Sequence, residues 1–232
     1  MVVRGLALFA VVLVMACLFL VVGCGSGNTI AQLRVMHASP NEPNLDVYID
    51  GKIVASELAY EGNTGYLSVD PGSHKVQLDL TGTTNPVLSQ SVNLAGSSET
   101  TLIAYNEAAN ITALVLADNN TTPGSGNIEL RFVNAAPGLG STDVYVVVPG
   151  TGITNLTPTV SALAFGAASS YQTLPETTTQ GTGYEVLFTI EGTRVAPIDT
   201  GSLTFGNGQI QTIVALINPS GGFTFSALTD FE

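Results

Sequence analysis

The chain has 232 residues, with 18 acidic against 6 basic side chains and a net charge of −12. Such a surface repels phosphate backbones, which disfavours nucleic acid as a partner. Apolar residues make up 45% of the chain, too many for a disordered protein, and the length suits one or two ordinary domains.

The N-terminus opens Met1-Val2-Val3-Arg4 and continues from Gly5 to Gly23 without a charge. One basic residue ahead of an apolar run is the grammar of an export signal. The run ends Leu20-Val21-Val22-Gly23-Cys24, which resembles the bacterial lipobox. That resemblance implies diacylglyceryl transfer to the Cys24 sulfur and cleavage after Gly23, the thiolate being the nucleophilic form. Two other readings compete. The run is about the 20 residues an uncleaved transmembrane helix needs. Cys17 could be lipidated instead, but Leu18 to Val22 stay apolar, whereas Cys24 is followed by Gly25-Ser26-Gly27-Asn28. The expectation is a signal peptide over 1–23, lipidation at Cys24 and a tether over 24–30. The protein would then sit on the cell envelope through its lipid anchor, palmitate being one candidate acyl chain. Gly25 in place of Asp points to the outer membrane in a Gram-negative cell, and otherwise to the outer face of the cell membrane. Both cysteines fall at or before residue 24, so no disulfide can form beyond it. Without Arg4, 5 basic residues face 18 acidic ones, a net of −13.

Beyond the tether the chain repeats itself. Leu33-Arg34-Val35-Met36-His37-Ala38-Ser39-Pro40 matches Leu130-Arg131-Phe132-Val133-Asn134-Ala135-Ala136-Pro137, and each leads to Asp-Val-Tyr, at Asp46 and at Asp143. Leu58-Ala59-Tyr60 matches Leu163-Ala164-Phe165, and Tyr66 matches Tyr171. Thr101-Leu102-Ile103-Ala104 matches Thr212-Ile213-Val214-Ala215, and the copies end at Asp118 and Asp230. The second copy has longer loops, including an extra stretch from Pro149 to Pro158. Asn119 to Asn127 has linker composition. The predicted division is 31–118 for the first domain, 119–127 for the linker and 128–232 for the second.

The periodicity is that of strands. Lys75-Val76-Gln77-Leu78-Asp79-Leu80 alternates polar with apolar, and Tyr184 to Ile190 shows one apolar face. Asp50-Gly51 and Asp70-Pro71-Gly72 are turn signals. Leu102 to Tyr105 and Ile213 to Ile217 are continuous apolar runs, as central strands buried on both faces show. The predicted fold class is all-β: two tandem β-sandwich, immunoglobulin-like domains of seven or eight strands each.

The run from Leu33 to Pro40, followed by Asp46-Val47-Tyr48-Ile49-Asp50-Gly51, resembles the DUF4397 domain. The resemblance covers residues 31–232 as two copies. The second copy departs at Asn134, where the first has His37, and has Val147-Val148-Pro149-Gly150 instead of the Asp-Gly turn. The resemblance implies an exported all-β domain, often found in tandem, and carries no catalytic residues to transfer.

Arg34 with Asp46 and Arg131 with Asp143 are the candidates for a repeated polar site. They are expected either as ion pairs joining the first two strands of each copy or as a small-ligand site, since Arg and carboxylate form a bidentate fork. His37 and His74 are the only histidines. His37 becomes Asn134, which suits hydrogen bonding and not general base chemistry. Ser39 becomes Ala136, which weakens a Ser/His hydrolase. Two histidines and no cysteine beyond Cys24 disfavour zinc. Asn41 to Asp46 is oxygen-rich without an EF-hand pattern. No phosphate loop or dinucleotide fingerprint occurs, so no cofactor or metal is expected. Without Trp, a sugar-stacking platform would need Tyr60, Tyr66, Tyr105 or Tyr171, for which core packing is the simpler role. The expected function is a non-enzymatic binding, adhesion or spacer module with an unidentified envelope or extracellular ligand. The alternative is an envelope hydrolase acting on glycan or peptide.

Overall fold

The computed structural model describes residues 29–177 and 183–231; the expected signal peptide and Cys24 lie outside the described residues. Sixteen strands and one short 3₁₀ turn make up these residues. In the first half they are β1 (Ala31–Ala38), β2 (Leu45–Ile49), β3 (Lys52–Leu58), β4 (Leu67–Val69), β5 (Gly72–Leu80), β6 (Pro86–Leu94), β7 (Glu99–Tyr105) and β8 (Thr112–Asp118). In the second they are β9 (Asn127–Asn134), β10 (Thr142–Val147), β11 (Val160–Leu163), β12 (Gln172–Pro175), β13 (Tyr184–Ile190), β14 (Ile198–Leu203), β15 (Ile210–Ile217) and β16 (Phe223–Phe231).

Each half is a sandwich of two four-stranded sheets. The first pairs β4-β1-β7-β8 with β3-β2-β5-β6, and the second pairs β12-β9-β15-β16 with β11-β10-β13-β14. In each sandwich the sheet containing β1 or β9 holds one parallel pair, β1 with β7 and β9 with β15. The other sheet of each is antiparallel throughout. The protein is therefore all-β, as the alternation predicts. Asp50 and Gly51 both take positive φ, 51° and 79°, as a two-residue hairpin turn between β2 and β3 requires.

Three apolar clusters fix the layers. Leu33, Val35, Val47, Leu78, Leu102 and Ala104 belong to the core of the first sandwich. Leu130, Phe132, Val144, Phe188, Ile213 and Ala215 belong to that of the second. The third cluster joins the halves: Met36, Ala38 and Ile103 pack with Val133, Ala135, Val214, Leu216 and Leu228. Successive side chains on a strand face opposite sides. Leu33 and Val35 therefore point into their own sandwich while Arg34 and Met36 point at the sister. The runs at Leu102 and Ile213 are buried on both faces for this reason: one face meets the home core and the other meets the second sandwich. The stacking order is outer sheet, inner sheet, inner sheet, outer sheet. Among the described residues, no helix is long and apolar enough to cross a membrane.

Candidate functional site

The expected pairing of Arg34 with Asp46 and of Arg131 with Asp143 does not form. Each Arg sits on an inner sheet and reaches across to the other sandwich. Arg34 Nη2 contacts Asp230 Oδ1 at 2.5 Å, and its Nη1 donates to the Thr229 carbonyl at 2.7 Å. Arg131 does the same in reverse, with Nη2 on Asp118 Oδ1 at 2.5 Å and Nη1 on the Ala117 carbonyl at 2.9 Å. The second carboxylate is close in each case: Arg34 lies 3.8 Å from Asp118, and Arg131 lies 3.7 Å from Asp230. The two arginines and two aspartates balance in charge. Their side chains are 3% and 0% exposed respectively, so the cluster is dry.

The remaining hydrogen-bonding capacity is filled in duplicate. Arg34 Nε donates to Thr101 Oγ1 at 3.0 Å, and Arg131 Nε donates to Thr212 Oγ1 at 2.9 Å. Those hydroxyls donate onward to Asp118 at 2.5 Å and to Asp230 at 2.6 Å. Tyr66 donates to Asp118 at 2.7 Å, and Tyr171 donates to Asp230 at 2.8 Å. Each guanidinium also lies over a tyrosine ring, 4.5 Å from the centroid for Tyr66 and 4.7 Å for Tyr171. Burial, and then the adjacent carboxylate, pushes both phenols well above the ordinary tyrosine range, so they stay protonated donors. The network is a closed structural lock.

Asp46 and Asp143 have a different task. Each accepts the backbone N–H of a residue at positive φ on the neighbouring edge strand: Glu57 (φ 56°) at 2.9 Å, and Ala162 (φ 52°) at 2.9 Å. Each also holds the turn after the next strand, through the N–H of Gly82 at 3.2 Å or of Gly192 at 2.9 Å. The register shifts at both places, as at a β-bulge. A side chain at positive φ is strained, and the carboxylate supplies the bond that holds it there. The Glu57 N–H, chief among these donors, keeps the Asp46 carboxyl below its usual range.

His37 and Asn134 hold matching positions and bond alike. His37 Nδ1 accepts from Ser39 N–H at 3.3 Å, and its Nε2 faces the Pro43 carbonyl at 3.2 Å. Asn134 Oδ1 accepts from Ala136 N–H at 3.4 Å, and its Nδ2 donates to the Gly140 carbonyl at 2.7 Å. Burial pushes the His37 pKa down, so the ring is a neutral loop fastener. Tyr60 donates to the Ile217 carbonyl of the second sandwich at 2.7 Å, with its pKa pushed up to about 12 by burial. Tyr105 stacks edge-on with Phe165 at 5.4 Å. All four candidate tyrosines thus lie at the junction of the sandwiches.

A cleft of about 620 Å³ opens to solvent at the free edge of the first sandwich, between β3 and β4. Ile53 and Val54 line one side, Leu67 and Val69 the other, with Lys52 and Ser68 beside them. Both strands have a neighbour on one side only, so each keeps an unpaired row of backbone groups. One end is closed by His74, whose Nδ1 meets Asp50 Oδ2 at 2.7 Å and whose Nε2 meets the Asp70 carbonyl at 2.7 Å. Both ring nitrogens face oxygen acceptors. The bond to Asp50 raises the His74 pKa, and the Lys75 N–H followed by His74 lowers that of Asp50. Nothing in the sequence singled out this clasp, because its three members come from two turns and a strand start. Among the described residues, no group of three or more His, Cys, Asp or Glu is placed to hold a metal.

Residues 31–145 match the family model described as "Domain of unknown function (DUF4397)". A DUF4397 domain lies at residues 31–145. The match runs through the first sandwich into β9 and β10, so it includes Arg34, Asp118 and Arg131 of the lock and not Asp230. A comparison with curated proteins found no match. Among solved structures, the chain is similar to a family CBM26 module of Eubacterium rectale Amy13K in complex with maltoheptaose, at 14% identity and a TM-score of 0.27, covering 85% of this chain and 95% of that one. It is also similar to an alpha-glucan-binding streptococcal virulence factor at 13% identity, and to family 41 carbohydrate-binding modules of streptococcal virulence factors at 12%. Both cover 79% of this chain and 92% of the other, with a TM-score of 0.27.

Proposed function

We propose that this chain is an envelope lipoprotein, anchored through Cys24, whose two sandwiches act together as a non-enzymatic binding, adhesion or spacer module. We also read residues 128–232 as a second copy of the DUF4397 domain. One observation carries the proposal: the arginines and aspartates of the lock are enclosed between the sandwiches, with side chains 3% and 0% exposed, and are spent on one another. An enzyme of this size would gather such residues in an accessible pocket. The cleft between β3 and β4 is lined half by aliphatic side chains and half by polar ones, and its two edge strands keep unpaired backbone groups with which a ligand could bond.

Intact mass and membrane fractionation of the protein and of Cys24→Ala test the anchor. The native chain should lose residues 1–23 and gain acyl mass, and the variant should do neither. An unacylated native chain that keeps residues 1–23 and stays in the membrane overturns the anchor. Retention of the lipid-free chain on isolated cell-wall polysaccharide tests the cleft. Val54→Arg, which places a charge in the cleft, should reduce that retention. Equal retention of the two proteins excludes the cleft as the site for this probe.

A further inference from the structure

The lock is built twice from one set of parts. The first sandwich presents Arg34, Thr101, Asp118 and Tyr66, and the second presents Arg131, Thr212, Asp230 and Tyr171, in the same mutual arrangement. Each face therefore brings both the guanidinium and the carboxylate that the opposite face needs. A surface carrying both halves of its own recognition chemistry is self-complementary, which is the defining property of a two-fold interface. The apolar part follows the same rule, with Met36 and Ala38 facing a cluster that holds Val133 and Ala135, their counterparts in the repeat.

Two further facts make this face exchangeable. All four sheets are built within one half, so no backbone ladder crosses the junction. The chain crosses it once, between the end of β8 at Asp118 and the start of β9 at Asn127. We infer that the inter-sandwich face is a pairing surface whose partner, besides the sister sandwich, is a second copy of this chain. Two chains open at residues 119–126 and close on each other, and every bond of the lock re-forms between chains. Because the faces are alike, the first sandwich accepts either sandwich of the other chain.

The test uses the chain from Gly25 onward, with a protease site built into residues 120–125. The protein is unfolded in urea and refolded at a series of concentrations, and native mass spectrometry reads the products. A parallel sample of never-unfolded protein is held at the highest concentration. The expected result is a dimer whose share grows with concentration. Cutting the linker then separates that dimer into first–second pairs of single-chain mass, or into first–first and second–second pairs of two different masses. Protein that stays monomeric at every concentration in both samples overturns the inference. So does a dimer that keeps its full mass after the linker is cut, because another surface then holds it.

Discussion

The two sandwiches agree where they touch and differ where they face away from each other. At the junction, Arg34 and Arg131 each reach the other sandwich's aspartate in the same way, and Tyr66 and Tyr171 match likewise. On the outer sheets the copies diverge. Tyr145 is 1% exposed, packed with Val147, Ile153 and Leu187 under the extra stretch 149–158. Arg194 fastens that stretch through the carbonyls of Ile153 at 3.0 Å and Leu156 at 3.1 Å, with its guanidinium 5.2 Å from the Tyr145 ring. The matching Tyr48 is only partly buried and has no such cover. Its cross-strand partner is Gln77, where Tyr145 has Leu187. Asp50 takes the place of Val147. At the start of the next strand, His74 reaches the Asp70 carbonyl where Tyr184 donates to that of Pro175. The two sandwiches share their contact surface and differ on the outer sheets, where one seals an apolar face and the other keeps a polar face and an open cleft.

The largest effect is expected at the lock. Asp118→Ala and Asp230→Ala each strand buried arginines, and breaking a buried pair costs about 3–5 kcal/mol. Urea denaturation should show similar losses for the two. A large disparity would show that the junction is less symmetric in energy than in geometry. Next in size is the contrast between the outer faces. Tyr145→Ala empties a packed site and should cost about 3 kcal/mol, the lower end for a large aromatic. Tyr48→Ala should cost less than half of that by the same assay, and equal costs would remove the distinction between a sealed and an open face.

Two smaller tests separate the histidines by pH. The folded state holds the His37 pKa below its ordinary value of 6.5, so the unfolded chain takes up more protons as pH falls. Its stabilisation is present above pH 6.5 and declines as pH falls through the depressed value. His37→Asn, which installs the residue of the second copy, should be near neutral at pH 7.5 and should flatten the acid limb of stability against pH. His74 is the reverse case, with a raised folded pKa. Its contribution is full below pH 6.5 and disappears as pH rises through the raised value. His74→Gln should lower stability at pH 5 and match the parent at pH 9. A loss of equal size at both pH values would mean that the clasp works without the charge.

Much of this architecture was legible in the sequence. The frame from Leu33 to Tyr48, repeated from Leu130 to Tyr145, pointed to two like sandwiches, and the alternation in Lys75 to Leu80 to the strand class. The runs at Leu102 and Ile213 correctly read as doubly buried. What covers their second face was not readable, because strand periodicity assigns residues to faces and does not say which faces meet. The same gap explains Arg34. Its nearest repeated carboxylate in sequence is Asp46, whereas its partner is Asp230, 196 residues away. One signal was present: Arg34 alternates with core residues Leu33 and Val35 and shares a face with Met36. A face mixing Arg with Met and Ala needs a cover that brings a carboxylate, and Asp118 and Asp230 were already paired as the ends of the repeat. The clasp at His74 left no such trace, because Tyr184 replaces the histidine in the other copy.

The parallel register of β1 with β7 has a mechanical consequence. Seven residue pairs, from Gln32–Glu99 to Ala38–Tyr105, lie along β1, the first strand among the described residues. Tension applied at the N-terminal end of β1 along its axis loads these pairs in shear, so that they slip together instead of peeling one at a time. Arg34, in the middle of that strand, passes part of the pull to Asp230 at the far end of the chain. A pull at the N-terminal end of β1 is therefore shared by both sandwiches at once.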